Sequence, residues 1–236
     1  MTSSPDSLRV PDVTPDYGRA FALWRQAAGA HWAAYVQHDF VRQLAGGTLP
    51  RDSFLHYLQQ DYVFLLHFAR SWALVFAKSD RMTEMQAASS IAHGLLNDEM
   101  PLHVEICGRE GITEAMLQAT AESPANMAYT RFVQATGYAG DMLDLLAALA
   151  PCVFGYGEIG LMHADSGGPY GKWTATYGGE GYQRVCHEVG TLIDASLEAR
   201  LGPDWHQLPR AAVLARHFTQ ATQLEVGFWQ MGLDRS

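Results

Sequence analysis

The chain reads as an all-α protein, a single-domain bundle of several long helices, and three observations carry that expectation. Apolar side chains recur at alternating steps of three and four through most of the sequence, as in helices that bury one face. No segment alternates convincingly as a half-buried strand, and no internal repeat is found. The 236 residues are 48% hydrophobic, enough for one well-filled core and short for two ordinary domains.

The elements follow in order. Residues 1–15, with Ser3, Ser4, Pro5, Asp6, Pro11, Asp12 and Pro15, lack a basic region leading into an apolar run. They are expected to be a flexible leader to a helical domain over 16–236, and neither a secretory signal nor a transit peptide. Tyr17 to about Gln37 carries Phe21, Trp24, Ala28, Trp32 and Tyr35 on one helix, before Gly46-Gly47 breaks the chain. Thr48 then offers a hydroxyl cap and Pro50 a first-turn residue for a long helix from Arg51. Asp80 is expected to cap a helix reaching about Cys107, which Gly108 and Gly111 stop. Thr113 starts a short helix, Ser123-Pro124 opens the next, and Gly140-Asp141 begins another that contains Pro151, where a kink is expected. Beyond the loop Ser166-Gly167-Gly168-Pro169 come a short piece near Lys172–Tyr177, a helix from Glu180 to about Arg200, a break at Gly202-Pro203, and a C-terminal helix.

Charge and cysteine usage narrow the function. Lysine plus arginine number 16 against 25 aspartate plus glutamate, a net charge of −9, which argues against nucleic acid or anionic lipid as partner. No stretch approaches the roughly 18 uncharged apolar residues of a membrane helix. Three widely spaced cysteines, Cys107, Cys152 and Cys186, form no CxxC pair and no zinc-type spacing, so a cytoplasmic location is expected.

Helical stepping places polar groups among apolar ones. One face of Arg51–Lys78 reads Phe54, Leu58, Asp61, Leu65, Phe68, Trp72, Phe76. Another, in Leu143–His163, reads Leu145, Leu149, Cys152, Tyr156, Ile159, His163. A third, in Arg210–Gly232, reads Leu214, Phe218, Ala221, Glu225, Phe228, Gly232. An inward carboxylate without a partner costs several kcal/mol, roughly, so two acids and a thiol turned inward point to a lined pocket. Each residue alone has a plainer explanation. Free cysteine is commonly a small buried hydrophobe, buried acids commonly bond a neighbouring helix, and aromatics are commonly core.

Several ordered blocks decide between those readings. Tyr57-Leu58-Gln59-Gln60-Asp61-Tyr62 follows Gly47-Thr48-Leu49-Pro50; then come Asp98-Glu99-Met100-Pro101-Leu102-His103, the run from Pro151 to Gly160, Lys172-Trp173 with Thr176-Tyr177-Gly178-Gly179, and Glu225-Val226-Gly227-Phe228-Trp229. The set, spanning roughly residues 17 to 232, resembles the TenA/thiaminase II family in its cysteine-containing branch. That resemblance implies a haem-oxygenase-like helical fold without haem, a homotetramer, and a hydrolase of thiamin salvage. Its reaction converts 4-amino-5-aminomethyl-2-methylpyrimidine to the hydroxymethyl pyrimidine, with cleavage of thiamin as a related activity. It further implies Cys152 as nucleophile, Glu225 as proton donor and Asp61 as a contact to the aminopyrimidine. Tyr129, Tyr156, Tyr177 and Phe228 match the family's substrate-lining positions.

The chemistry suits such residues. Adding a thiolate to the ring breaks aromaticity and lets ring electrons expel the amine, dividing a hard step into easier ones. A carboxyl lifted by apolar surroundings can protonate ring nitrogen near neutral pH. No metal or organic cofactor is required. Phe64 departs from the pattern, standing where the family commonly has a tyrosine whose hydroxyl is thought to favour the thiolate. A non-catalytic pyrimidine- or thiamin-binding or regulatory protein is therefore the alternative. Glu99 and His103, one turn apart, could ligate iron, but further inward carboxylates or histidines are lacking, so packing or salt bridging is expected of them. Gly178-Gly179-Glu180-Gly181 has neither the strand nor the lysine of a phosphate loop.

Overall fold

The computed structural model describes residues 14–236, so most of the expected leader lies outside the described residues. Among these residues there is no strand. Twelve helices run α1 Arg19–Ala28, α2 Ala30–Val36, α3 Asp39–Ala45, α4 Arg51–Lys78, α5 Met82–Gly94, α6 Met100–Arg109, α7 Glu114–Gln118, α8 Pro124–Ala139, α9 Met142–Met162, α10 Gly171–Gly178, α11 Glu180–Leu201 and α12 Pro209–Asp234.

The middle of the bundle is α9, buried at every residue except Leu161. It packs against α12, α10, α11, α8, α4 and α2. Its start is fixed by a capping box: Asp141 accepts from the Leu143 and Asp144 amides at 2.8 and 3.1 Å, and Asp144 accepts from the Asp141 amide at 2.9 Å. By length and composition this helix could cross a membrane, contrary to the expectation that no stretch is apolar enough. Its most apolar window is 94% buried inside the protein, which marks it as the core helix of the bundle. It presents not one apolar face but several, each to a different neighbour.

Small residues make that closeness possible. At Gly160 a Cβ would strike the Tyr177 backbone, at Gly155 the Tyr35 ring, and at Gly157 the Tyr17 hydroxyl and Cys186 sulfur. The helix remains α-helical through Pro151. The room one turn beyond Pro151, at Gly155 and Gly157, is filled by the Tyr35, Tyr17 and Cys186 side chains.

Four further expectations are corrected. Tyr17–Gln37 is not one helix, because Gly29 adopts φ 50° and ends α1 before α2 begins; glycine enters that region without the Cβ clash other residues meet. Pro50 stands at the cap position of α4 instead of its first turn, and the Thr48 hydroxyl bonds the Gln43 carbonyl. Asp80 does not cap α5, whose cap is Arg81; the Asp80 carboxylate pairs with Arg200 at 3.1 Å. Phe76, expected inward, is 44% exposed near the end of α4, where the stripe runs past the core.

The segment from Met82 to Arg109 is also interrupted. Between α5 and α6 the residues Leu95–Glu99 form a π-turn, with the Met100 amide reaching back to the Leu95 carbonyl. Pro101, having no N–H, cannot donate the usual helical bond at this point. The Asn97 side-chain amide binds the His93 carbonyl at 2.9 Å.

Candidate active site

Seven elements, α4, α5, the Leu95–Glu99 turn, α6, α9, α10 and α11, line a cavity of about 550 Å³, within the roughly 300–1,000 Å³ typical of small-molecule sites. From α4 comes Asp61, from α9 Cys152 and Tyr156, from α10 Trp173 and Tyr177, from the π-turn Glu99 and from α6 His103. Cys152 is 9% exposed at its inner wall. Ring contacts stiffen one side: Trp173 and Tyr177 have centroids 4.6 Å apart, Tyr156 and Tyr177 4.9 Å.

A line of hydroxyls supports Asp61. Tyr156 meets the Tyr57 hydroxyl at 3.3 Å, and Tyr57 donates to Asp61 Oδ2 at 3.1 Å. Burial pushes the Asp61 carboxyl well above the usual range, Glu99's charge adds to that, and the Tyr57 hydrogen bond opposes it. His103 Nδ1 lies 3.4 Å from Asp61 Oδ2 but makes no aligned hydrogen bond. Burial holds His103 at about 4, so near neutral pH the imidazole is uncharged and the contact is no ion pair.

Glu99 is half-buried and accepts from the Tyr177 hydroxyl at 2.9 Å. Burial raises its carboxyl to about 7, against the lowering effect of that bond. Cys152 is held well above the ordinary thiol value, by burial first and then by the charges of Glu225, Glu99 and Asp61. At neutral pH it is therefore a thiol, not a thiolate.

Glu225 lies on α12, buried, accepting from the Tyr129 hydroxyl at 2.8 Å. Burial raises it to about 8, and hydrogen bonds from Tyr129 and Tyr35 pull the other way. Its charge acts more strongly on Cys152 than any other does, yet its side chain does not line the cavity. Tyr129, Phe64 and Phe228 sit in the same adjoining layer: Phe64 packs on Tyr129 at 5.0 Å and on Phe228 at 5.4 Å. Of the sequence-derived residues, Asp61, Cys152, Tyr156 and Tyr177 meet at the cavity; Glu225, Tyr129, Phe64 and Phe228 do not reach its surface.

Sequence reasoning assigned Glu99 and His103 to packing or salt bridging, whereas both line the cavity. The available signal was Pro101, which sits where an uninterrupted helix would need an N–H. Among the described residues no group of three or more His, Cys, Asp or Glu converges in a way that could hold a metal ion.

An aromatic-walled hollow with the Cys152 thiol and the Asp61 and Glu99 carboxyls inside and exposed Asp98, Lys172, Arg184 and Glu188 along its rim has the size and lining of a small-molecule site in an all-helical protein. Comparison with known proteins adds the lineage: residues 25–235 match the TENA/THI-4/PQQC family, and the chain belongs to it. It is 34% identical over 212 residues to the aminopyrimidine aminohydrolase of Bacillus subtilis, covering 88% of this chain and 86% of that protein. To the aminopyrimidine aminohydrolase of Halalkalibacterium halodurans it is 29% identical, covering 85% and 89% respectively. A solved structure from Silicibacter sp. TM1040, described as a TenA family transcription regulator, superposes with a TM-score of 0.90 at 55% identity, covering 92% of this chain and 97% of that one.

Proposed function

We propose that the protein is an aminopyrimidine aminohydrolase of thiamin salvage, replacing the exocyclic amine of 4-amino-5-aminomethyl-2-methylpyrimidine by hydroxyl, with thiamin as a second substrate cleaved at the same methylene. The observation that carries this reading is the meeting of Cys152 with Asp61 in an aromatic-walled cavity, in a chain similar over most of its length to proteins named for that reaction.

The S–H of Cys152 adds across the ring in the proposed sequence: sulfur bonds a ring carbon, and the proton reaches ring nitrogen through the Glu225 carboxyl. The electron pair released into the ring expels the amine as ammonia. Water then bonds the methylene carbon, and departure of sulfur with return of its proton restores aromaticity. Water enters and ammonia leaves, with no cofactor consumed. Asp61 accepts hydrogen bonds from the aminopyrimidine edge, and Tyr156 and Tyr177 flank the ring. Tyr129 bonds the Glu225 carboxyl, and Phe64 packs on Tyr129 and Phe228 beside it. Glu225 suits the proton-transfer role because a carboxyl near 8 holds a proton at neutral pH.

A second reading is favoured by two observations: the thiol is held protonated, and the solved relative at 55% identity carries a regulator's description. In that reading the protein binds a pyrimidine or thiamin without turning it over. Incubation with the aminomethyl pyrimidine and with thiamin separates the two. The hydrolase reading expects wild-type release of ammonia and hydroxymethyl pyrimidine, loss of turnover in Cys152→Ala, and at least about a hundredfold loss in Glu225→Gln, within the range for general acids. Tight binding without product overturns it in favour of the binding protein. A homotetramer is part of the same proposal; light scattering at micromolar concentration that returns a monomer contradicts it.

A further inference from the structure

Resting on the aminopyrimidine reading, we propose that Glu99 binds the protonated exocyclic amine of the substrate, a cation subsite separate from Asp61, which contacts the ring. The π-turn sets it up. Leu95 and Glu99 line the cavity, while Leu96 and Asn97 stay exposed. π-turns of this kind gather at functional sites because they re-aim side chains that regular helix would send elsewhere.

The surroundings of Glu99 call for a cation and supply none. Three acids buried elsewhere each have an arginine: Glu84 with Arg200, Asp144 with Arg210, Glu158 with Arg25. The Glu99 carboxyl has the Tyr177 hydroxyl instead. The cavity's own cations, Lys172 and Arg184, are exposed, and Lys172 points toward Glu105 at 4.0 Å. Around Tyr177 stand the rings of Trp173, Tyr156 and Tyr182, the last at 4.8 Å, and electron-rich faces attract ammonium groups. His103 adds a second polar atom without a hydrogen bond at the same cavity: its Nδ1 is buried, 3.4 Å from Asp61 Oδ2 but unbonded to it. An uncharged imidazole there can accept a proton-bearing nitrogen.

Reactivity gives the subsite a purpose. An amine departs as neutral ammonia only when it carries its third proton, and a carboxylate in contact favours that charged form. Glu99 thereby selects an ammonium-bearing pyrimidine over one with a neutral substituent.

The test compares two ligands that share a ring, in a Cys152→Ala background that blocks turnover. Calorimetric titration is run with the aminomethyl and the hydroxymethyl pyrimidine, with Glu99→Gln and Tyr177→Phe added singly. Glu99→Gln is expected to weaken the aminomethyl ligand at least about tenfold and the hydroxymethyl ligand less than about threefold, the difference a charge-assisted hydrogen bond makes. Tyr177→Phe, which frees the carboxylate without removing it, should give a smaller loss in the same direction. Glu99→Asp should recover part of the amine affinity. Equal losses for both ligands, or unchanged amine affinity in a folded Glu99→Gln protein, overturn the subsite. If the wild type binds both ligands but releases no ammonia, the hydrolase reading falls while a selective Glu99 effect still supports the subsite; if the folded Cys152→Ala protein binds neither, the subsite falls while wild-type ammonia release still sustains the hydrolase reading.

Discussion

Two regions of this protein bury carboxylates, and they do it by opposite means. Away from the cavity, Glu84, Asp144 and Glu158 are each matched by an arginine. Glu158 on α9 is held by two Arg25 nitrogens at 2.8 and 2.7 Å and by the Trp32 indole at 3.0 Å. Glu84 and Asp144 are bonded by Arg200 and Arg210, and both carboxyls lie below the usual range, the arginine hydrogen bonds overcoming burial. In and beside the cavity, Asp61, Glu99 and Glu225 receive tyrosine hydroxyls instead, and burial drives all three upward. Arginine pairing fixes a charge in place; hydroxyl pairing leaves a proton free to come and go. The first arrangement serves the fold, and the second serves chemistry.

The contrast breaks most visibly at Arg25. Arg25→Met strands Glu158, 2% exposed at its side chain against 27% for the arginine, and should lower unfolding free energy toward the about 3–5 kcal/mol seen when one member of a buried pair is removed. Urea denaturation measures it; a loss under about 1 kcal/mol would erase the distinction between the regions. Next in size, Gly160→Ala should cost about 1–3 kcal/mol by overpacking and reduce turnover as well, since the added carbon strikes the Tyr177 backbone. A melting shift with unchanged kinetics would detach α9 packing from the site.

A smaller effect concerns pH. Glu225 keeps its proton in the fold to about 8, whereas its ordinary value is 4.5. Between those values the folded protein binds the extra proton, so this group's contribution to stability falls as pH rises. Glu225→Gln should flatten that decline in denaturation midpoints across the same window. The lowered carboxyls of Glu84 and Asp144 act in reverse, contributing above their unfolded values and losing that contribution as pH falls. The smallest change expected is Phe64→Tyr. Its new hydroxyl enters a layer containing the Tyr129 and Glu225 pair, and a rise in kcat of less than about tenfold with KM unchanged is expected. No kinetic change would show that Phe64 is packing alone.

Much of this was readable in advance because helical stepping reports direction. It turned Asp61, Cys152, Tyr156 and Glu225 inward, and all four are buried. Direction does not distinguish a residue facing a hollow from one facing another side chain, which is why Glu225, Tyr129, Phe64 and Phe228 could not be told apart from cavity-lining groups. Glu99 escaped for a different reason. A π-turn lengthens one turn by a residue, so counting at 3.6 across Leu95–Glu99 puts everything beyond it on the wrong side. Gly29 was hidden among alanines, in a run whose composition favours helix until positive φ ends it.

That lengthened turn also makes the cavity wall adjustable by editing the chain length. Removing the exposed Leu96 would return the segment to regular winding and rotate α6 by about 100° relative to α5, withdrawing Glu99 and His103 together and presenting their neighbours. A single-codon deletion could thus exchange the wall's polar lettering while α9, anchored on all sides, keeps Cys152 where it stands.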